Sequence, residues 1–182
     1  MKVIVITSPR TMSNWYTNQL AIQHDIINYK EQLTDILHKK KSLRLLNNLV
    51  NDYINKDSGV FNLKLCYWLE SSDWVNKEQQ LRELLLSADK IIYLYRKNKE
   101  AQIKSLLCAE HTSNWFGGVM RDEAINISLT RKQFNFYEER YTKYMEQLID
   151  CQFEFPGVTQ YSENIILGNE QPYKQLYNVD IT

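Results

Sequence analysis

The chain has 182 residues, enough for one domain with its own core, and its 22 basic and 22 acidic side chains cancel. A net charge of zero gives no global pull toward nucleic acid or an anionic membrane, and no apolar run reaches the roughly 18 residues of a membrane span. The apolar stretch Val3–Ile6 ends before Pro9, too short for a signal-peptide core, and Cys66, Cys108 and Cys151 form no Cys-x-x-Cys pair, so free buried thiols in a cytoplasmic protein are expected.

Lys2–Thr7 is a β-branched run and reads as a strand. It stops at Ser8-Pro9-Arg10-Thr11-Met12-Ser13, where a helix-compatible stretch begins. Backbone N–H groups at a helix N-terminus, together with the helix dipole, make an anion site. Arg10 adds a planar, permanently charged fork suited to phosphate or sulfate oxygens. The pattern G-x-x-x-x-G-K-[ST] is absent, and with it the lysine and magnesium-binding hydroxyl of an ordinary phosphate loop. The expected ligand is therefore anionic but not a magnesium-bound nucleoside triphosphate.

Gln32 to Ile54 has helical spacing through Leu33, Ile36, Leu37, Leu46, Val50 and Tyr53, with Lys39-Lys40-Lys41 on its wet side. The polar break Asn55–Gly59 ends it, and Val60–Cys66 reads as a second strand. Lys77–Ser87 is a short helix through Leu81, Leu84 and Leu85. Lys90–Tyr95 is a third strand, followed by Arg96-Lys97-Asn98 and a helix over Asn98–Ala109 that carries Ser105. Thr130 is placed to cap a long helix to Asp150, with Phe134, Tyr137, Tyr141, Tyr144 and Leu148 along one stripe. Val158–Tyr161 is a weaker fourth strand.

Strands alternating with helices predict a single α/β domain over 1–182. The expected architecture has three layers, a mostly parallel sheet of four to five strands flanked by helices, with right-handed crossovers. Ligands of such sheets sit outside the carboxyl ends of the strands, where both polar clusters fall. A ligand that touches both has two anionic ends.

Together the clusters resemble the sulfotransferase family. Its first motif, Pro-(Lys/Arg)-(Ser/Thr)-Gly-(Ser/Thr)-x-(Trp/Leu), is similar to Pro9-Arg10-Thr11-Met12-Ser13-Asn14-Trp15. Its second, in the bacterial trehalose-sulfotransferase-like form Arg-Arg-Asp-Lys-x-x-Gln-Ala-x-Ser, resembles Arg96 to Ser105. Cys108-Ala109, Thr112-Ser113-Asn114-Trp115 and Tyr161-Ser162-Glu163 add weaker likeness to later stretches. The similarity lies in residues 1–20 and 88–116.

The resemblance implies a P-loop nucleotide-kinase-like fold. It also implies transfer of a sulfuryl group from 3′-phosphoadenosine 5′-phosphosulfate to a hydroxyl of a small molecule or glycan, without a metal. The product is 3′-phosphoadenosine 5′-phosphate. The 5′ end is expected on Ser8, Pro9 and the amides of Thr11 to Asn14, with the Thr11 and Ser13 hydroxyls adding bonds, Trp15 nearby and Arg10 facing the bridging oxygen. Arg96 or Lys97, with Ser105, holds the 3′-phosphate. Met12 stands where the family has glycine, which implies ordinary dihedrals at that position.

A hydroxyl acceptor needs a base within reach. Many relatives place a His in a Lys-Thr-His-like run, but Lys64-Leu65-Cys66 has Cys there. The resemblance to the bacterial branch, which has a Glu shortly after the first helix, implies Glu31 as the first candidate, with His24 the alternative, Glu70 third, and His111 nearer the 3′ side. Lys64 is expected to assist Arg10. Tyr67, Trp68 and Trp74 either line an acceptor pocket or belong to the core. Acceptor-side elements are minimal, lost, or supplied by a second copy in a homodimer.

Duller roles stay open: Arg10 as a surface arginine, Ser105 bonding within its helix, Arg96 and Lys97 as a solvated strand end, and Trp15 and Trp115 as core. The rival functions are a divergent nucleotide kinase and a non-catalytic nucleotide-binding or interaction module.

Overall fold

A computed structural model describes residues 1–30, 32, 43–70, 76–112, 125–166 and 177–181. Strand β1 (Lys2–Thr7) is buried along its whole length because it lies inside a four-stranded, all-parallel sheet. The sheet order is β2 (Gly59–Lys64), β1, β3 (Lys90–Tyr95), β5 (Val158–Tyr161). Strands covered on both faces are apolar throughout rather than alternating, which is why β1 reads as a continuous run.

Val3 and Val5 face α1 (Ser13–His24) and pack with Leu20, Ala21, Val60, Ile92 and Leu94. Ile4 and Ile6 face the other way. They pack with Leu46 and Val50 of α2 (Leu43–Ile54), Leu84 and Leu85 of α4 (Lys77–Leu86) and Leu148 of α6 (Arg131–Glu154). Helices therefore cover both faces of the parallel sheet. From β1 the chain runs by way of α1, on one face, and α2, on the other, to β2 at one edge of β1, and from β2 by way of α4 to β3 at the other edge of β1. The loops leaving β1 and β3 rise from the carboxyl ends of neighbouring strands, where ligands of such sheets sit.

The outer edge of β2 is covered by the chain that follows α1. Tyr29 donates its backbone N–H to the Val60 carbonyl (2.9 Å), and Val60 donates to the Ile27 carbonyl (2.8 Å). Gly59 (φ 137°) allows this close approach, since a Cβ there would stand 2.4 Å from the Tyr29 ring. At the amino end of the sheet the Lys2 ammonium is buried. It donates to the carbonyls of Tyr53 (2.6 Å) and Ile54 (3.1 Å) and to the Ser87 hydroxyl (2.6 Å), closing the last turn of α2.

The strands Lys2–Thr7, Lys90–Tyr95 and Val158–Tyr161 are observed with the expected bounds. The second strand ends at Lys64 instead of Cys66: Leu65–Glu70 turns at once into a short helix, α3. The long helix begins where expected, because Thr130 and Gln133 form a capping box, and it continues to Glu154. Its Phe134 and Tyr137 pack against α5 (Lys99–Thr112) through Ile103, Leu106 and Leu107. Two further parallel strands, β4 (Ile125–Leu129) and β6 (Tyr177–Ile181), pair with each other, and α7 (Ser162–Ile166) follows β5. All three cysteines are buried and free. Among the described residues no helix is long and apolar enough to cross a membrane. Lys39-Lys40-Lys41, Trp74 and Trp115 lie outside the described residues.

Candidate functional site

Thr7, Lys64 and Leu94 stand level at the carboxyl end of the sheet. From this edge β1 leads into the turn 8–12. The Thr7 and Thr11 hydroxyls pair with each other beneath the turn, close to the carbonyls of Leu94 (3.1 Å from Thr7) and Ser8 (3.1 Å from Thr11). Arg10 (φ 67°) and Met12 (φ 61°) both adopt the left-handed conformation. For residues with a Cβ this costs about 1–2 kcal/mol each, and such strain gathers at functional sites. The expectation of ordinary dihedrals at Met12 is thus overturned. Met12 takes the backbone form that suits glycine, immediately before the first turn of α1 and without a side-chain cap.

Helix α5 grips this turn from above β3. The Gln102 amide nitrogen donates to the Ser8 hydroxyl (2.7 Å) and the Pro9 carbonyl (2.7 Å), and Gln102 is buried. One helical turn later Ser105 accepts from Arg10 Nε at 2.9 Å. Arg96 Nη1 donates to the Arg10 carbonyl at 3.3 Å. The two cation-bearing clusters, expected as separate pockets bridged only by a ligand, are therefore one connected patch. The Arg10 charge is also felt by Cys108: burial pushes that thiol up to about 11, against the opposing pull of the guanidinium.

The β2 side supplies a third cation. Asn62 and Lys64, two residues apart on one face of the strand, both reach the first turn of α1. Asn62 Nδ2 donates to the Ser13 hydroxyl (3.0 Å) and to Asn14 Oδ1 (2.8 Å), and Lys64 Nζ donates to the Ser13 hydroxyl. Lys64, expected to assist Arg10, is thus bonded to Ser13. An ammonium at the N-terminus of a helix opposes the dipole, and the first turn of α1 holds no acidic residue. Lys64 and the α1 N-terminus form a concentrated positive field of the kind a bound anion relieves.

The hydroxyls expected to reach a ligand are used inside the protein. Ser8 oxygen accepts from Gln102, Thr11 is fully buried under the turn, and Ser13 is held by Asn62 and Lys64. The groups that face an anion here are the α1 backbone with Lys64, Arg10 and Arg96; Ser8, Ser13 and Ser105 accept bonds within the chain, which leaves a serine's own proton for a second partner. Of the adjacent cations, Arg96 faces the turn. Lys97 points away, its Nζ donating to Asn164 Oδ1 (3.1 Å) and standing 4.9 Å over the Tyr161 ring. Trp15 is half-buried, and Trp68 is core, fully buried with its indole N–H on the Lys77 carbonyl (2.9 Å).

Of the candidate bases, His24, Glu70 and His111 are exposed toward helix ends. His24 is exposed at the far end of α1, about 16 Å along the axis from Ser13, and is removed from the site. Glu70 is exposed at the end of α3, 3.5 Å from Lys143 Nζ. His111 is exposed near the end of α5, about 18 Å along the axis from Lys99. Glu31 lies outside the described residues.

Asn62 and Gln102 were not singled out by sequence reasoning. Gln102 carried a signal, since it fills the Gln of the second motif; Asn62, a polar residue within a buried strand, carried a fainter one. No protein-family model matches the chain, and no curated protein matches it.

Proposed function

We propose that the patch binds a nucleotide with anionic groups at two ends, 3′-phosphoadenosine 5′-phosphosulfate, and that the chain transfers its sulfuryl group to a hydroxyl of a small molecule or carbohydrate on a P-loop-like fold. One observation carries this reading: the guanidinium of the first motif and the serine of the second, 95 residues apart, are in hydrogen-bond contact at 2.9 Å beside the N-terminus of α1. The donor set fits the group, being amides and cations without an acid in the first turn of α1.

The 5′ end is assigned to the amides of the first turn of α1 and to Lys64; the 3′-phosphate is assigned to Arg96 and Ser105. Ser105 holds Arg10 until charge develops on the bridging oxygen, when Arg10 stabilises it. In the step itself the acceptor oxygen bonds to sulfur as the bond from sulfur to the bridging oxygen breaks. The bond pair leaves on 3′-phosphoadenosine 5′-phosphate, and the acceptor proton passes to a base, assigned to Glu31 by the resemblance to the bacterial branch.

A second reading, a nucleotide-binding module without turnover, is favoured by the Thr11 hydroxyl, which is buried under the turn on Thr7 and the Ser8 carbonyl. Calorimetric titration with 3′-phosphoadenosine 5′-phosphate, followed by an acceptor screen with labelled donor, separates the readings. Binding abolished in Arg10→Ala, together with label transfer, supports the enzyme. Binding without transfer selects the module. Magnesium-dependent binding of ATP in preference to the bisphosphate refutes the sulfuryl-transfer reading and points to a nucleotide kinase.

A further inference from the structure

We infer that Glu163 is a positioning residue of this site: its carboxylate fixes the turn after β3, and so sets where Arg96 meets the Arg10 turn. The inference rests on the binding reading above. Glu163 is the second residue of α7, directly after the edge strand β5, which places it beside the carboxyl end of β3. One carboxylate oxygen accepts the backbone N–H of Lys97 at 3.0 Å, and the other accepts that of Asn98 at 3.0 Å. The Ser162 hydroxyl donates to the same oxygen as Lys97, at 3.2 Å.

Arg96 Nε is 4.0 Å from this carboxylate, whereas Arg96 Nη1 is 3.3 Å from the Arg10 carbonyl. These lengths decide between two roles. A carboxylate competing with a ligand anion for Arg96 makes its short contacts to the guanidinium. Glu163 makes them to backbone amides and leaves the guanidinium directed at the turn. Burial alone would raise the Glu163 carboxyl, but the Lys97 and Asn98 N–H groups outweigh it and hold it below the ordinary glutamate range, so it is charged at neutral pH.

The next residues close the same turn. Asn98 Oδ1 accepts the Ala101 N–H at 2.9 Å, capping α5. The amides of Lys97, Asn98 and Ala101 are therefore matched within the chain, so recognition of a second anion falls to the Arg96 and Ser105 side chains. The edge strand, which adds little to the core, then serves to deliver one carboxylate to this turn.

The test is a double-mutant cycle on 3′-phosphoadenosine 5′-phosphate affinity, by calorimetry, with wild type, Glu163→Gln, Arg96→Ala and the double variant. Glu163→Gln is expected to weaken binding about tenfold with Arg96 present, the size of one charge-assisted hydrogen bond, and under about twofold in the Arg96→Ala background. Glu163→Asp, which keeps the charge, is expected to recover part of the loss. Equal weakening in both backgrounds shows a merely structural role and overturns the inference. Tighter binding by Glu163→Gln identifies a competitor and also overturns it, as does unchanged binding, while the anion-site reading survives all three. Absence of binding by wild type overturns both.

Discussion

Replacing Met12 by glycine and by alanine tests whether the turn stores strain. At φ 61° a side chain with a Cβ costs about 1–2 kcal/mol, and alanine bears that cost as methionine does. Glycine removes it but loses about 0.5–1 kcal/mol through the greater freedom of its unfolded chain. Met12 has no side-chain cap bond to lose. The difference between the two variants is therefore about 0.5–1 kcal/mol in favour of glycine, or about 1–4 °C in a chain of this size. Comparing the variants with each other cancels the loss of the methionine contacts, which affects both equally. Paired thermal melts and urea titrations read the difference. A Met12→Gly protein no more stable than Met12→Ala would mean that the residue is not held in the left-handed region, and the account of the turn would fall with it.

Removing the Lys2 ammonium as Lys2→Met takes a charged donor from the Tyr53 and Ile54 carbonyls at the end of α2, leaving Tyr53 with the Lys56 N–H (3.3 Å). The expected loss is about 2–3 kcal/mol, or about 5–10 °C, with nucleotide affinity unchanged because Lys2 lies at the opposite end of the sheet. Alkali is expected to unfold the protein cooperatively. Burial pushes Tyr95, Tyr137, Tyr144 and Cys66 up to about 12 and Cys108 to about 11. Groups raised in the folded state favour it fully below their ordinary values, about 9 to 10, and that contribution is lost as pH climbs toward 11 to 12. Lys2, which burial lowers, acts in the opposite direction, but it is one group against these and further raised tyrosines, among them Tyr53, Tyr67 and Tyr93. Circular dichroism against pH checks this, and a flat signal to pH 12 would contradict it. Under native conditions near pH 8, Cys66 should resist alkylation until denaturant is added, as a mass spectrum would show.

Several features were legible in the sequence because their causes are local. Lys2–Thr7 is a strand because every residue in it is covered on both faces, and Pro9 ends it. Thr130 starts a helix because its hydroxyl and the Gln133 side chain satisfy each other's backbone N–H within one turn. The order of β1, β3 and the two charged clusters followed from the same local punctuation. The end of β2 was misread because Leu65 and Cys66 are as buried as the strand before them, so apolarity alone does not mark where the backbone turns. Pairing of Ile125–Leu129 with Tyr177–Ile181 was missed because it depends on a partner some 50 residues distant.

The site divides along the same line. Sequence alone determined that an arginine follows the first strand and a serine lies on the helix after the third. That Arg10 and Ser105 touch, that Thr11 and Ser13 turn their hydroxyls inward, and that Lys64 reaches Ser13 were decided only by the tertiary structure. The reason is the parallel sheet. It sets β1 between β2 and β3 and brings their carboxyl ends level, so side chains remote in sequence share one edge, and hydroxyls that a linear motif leaves free find partners there.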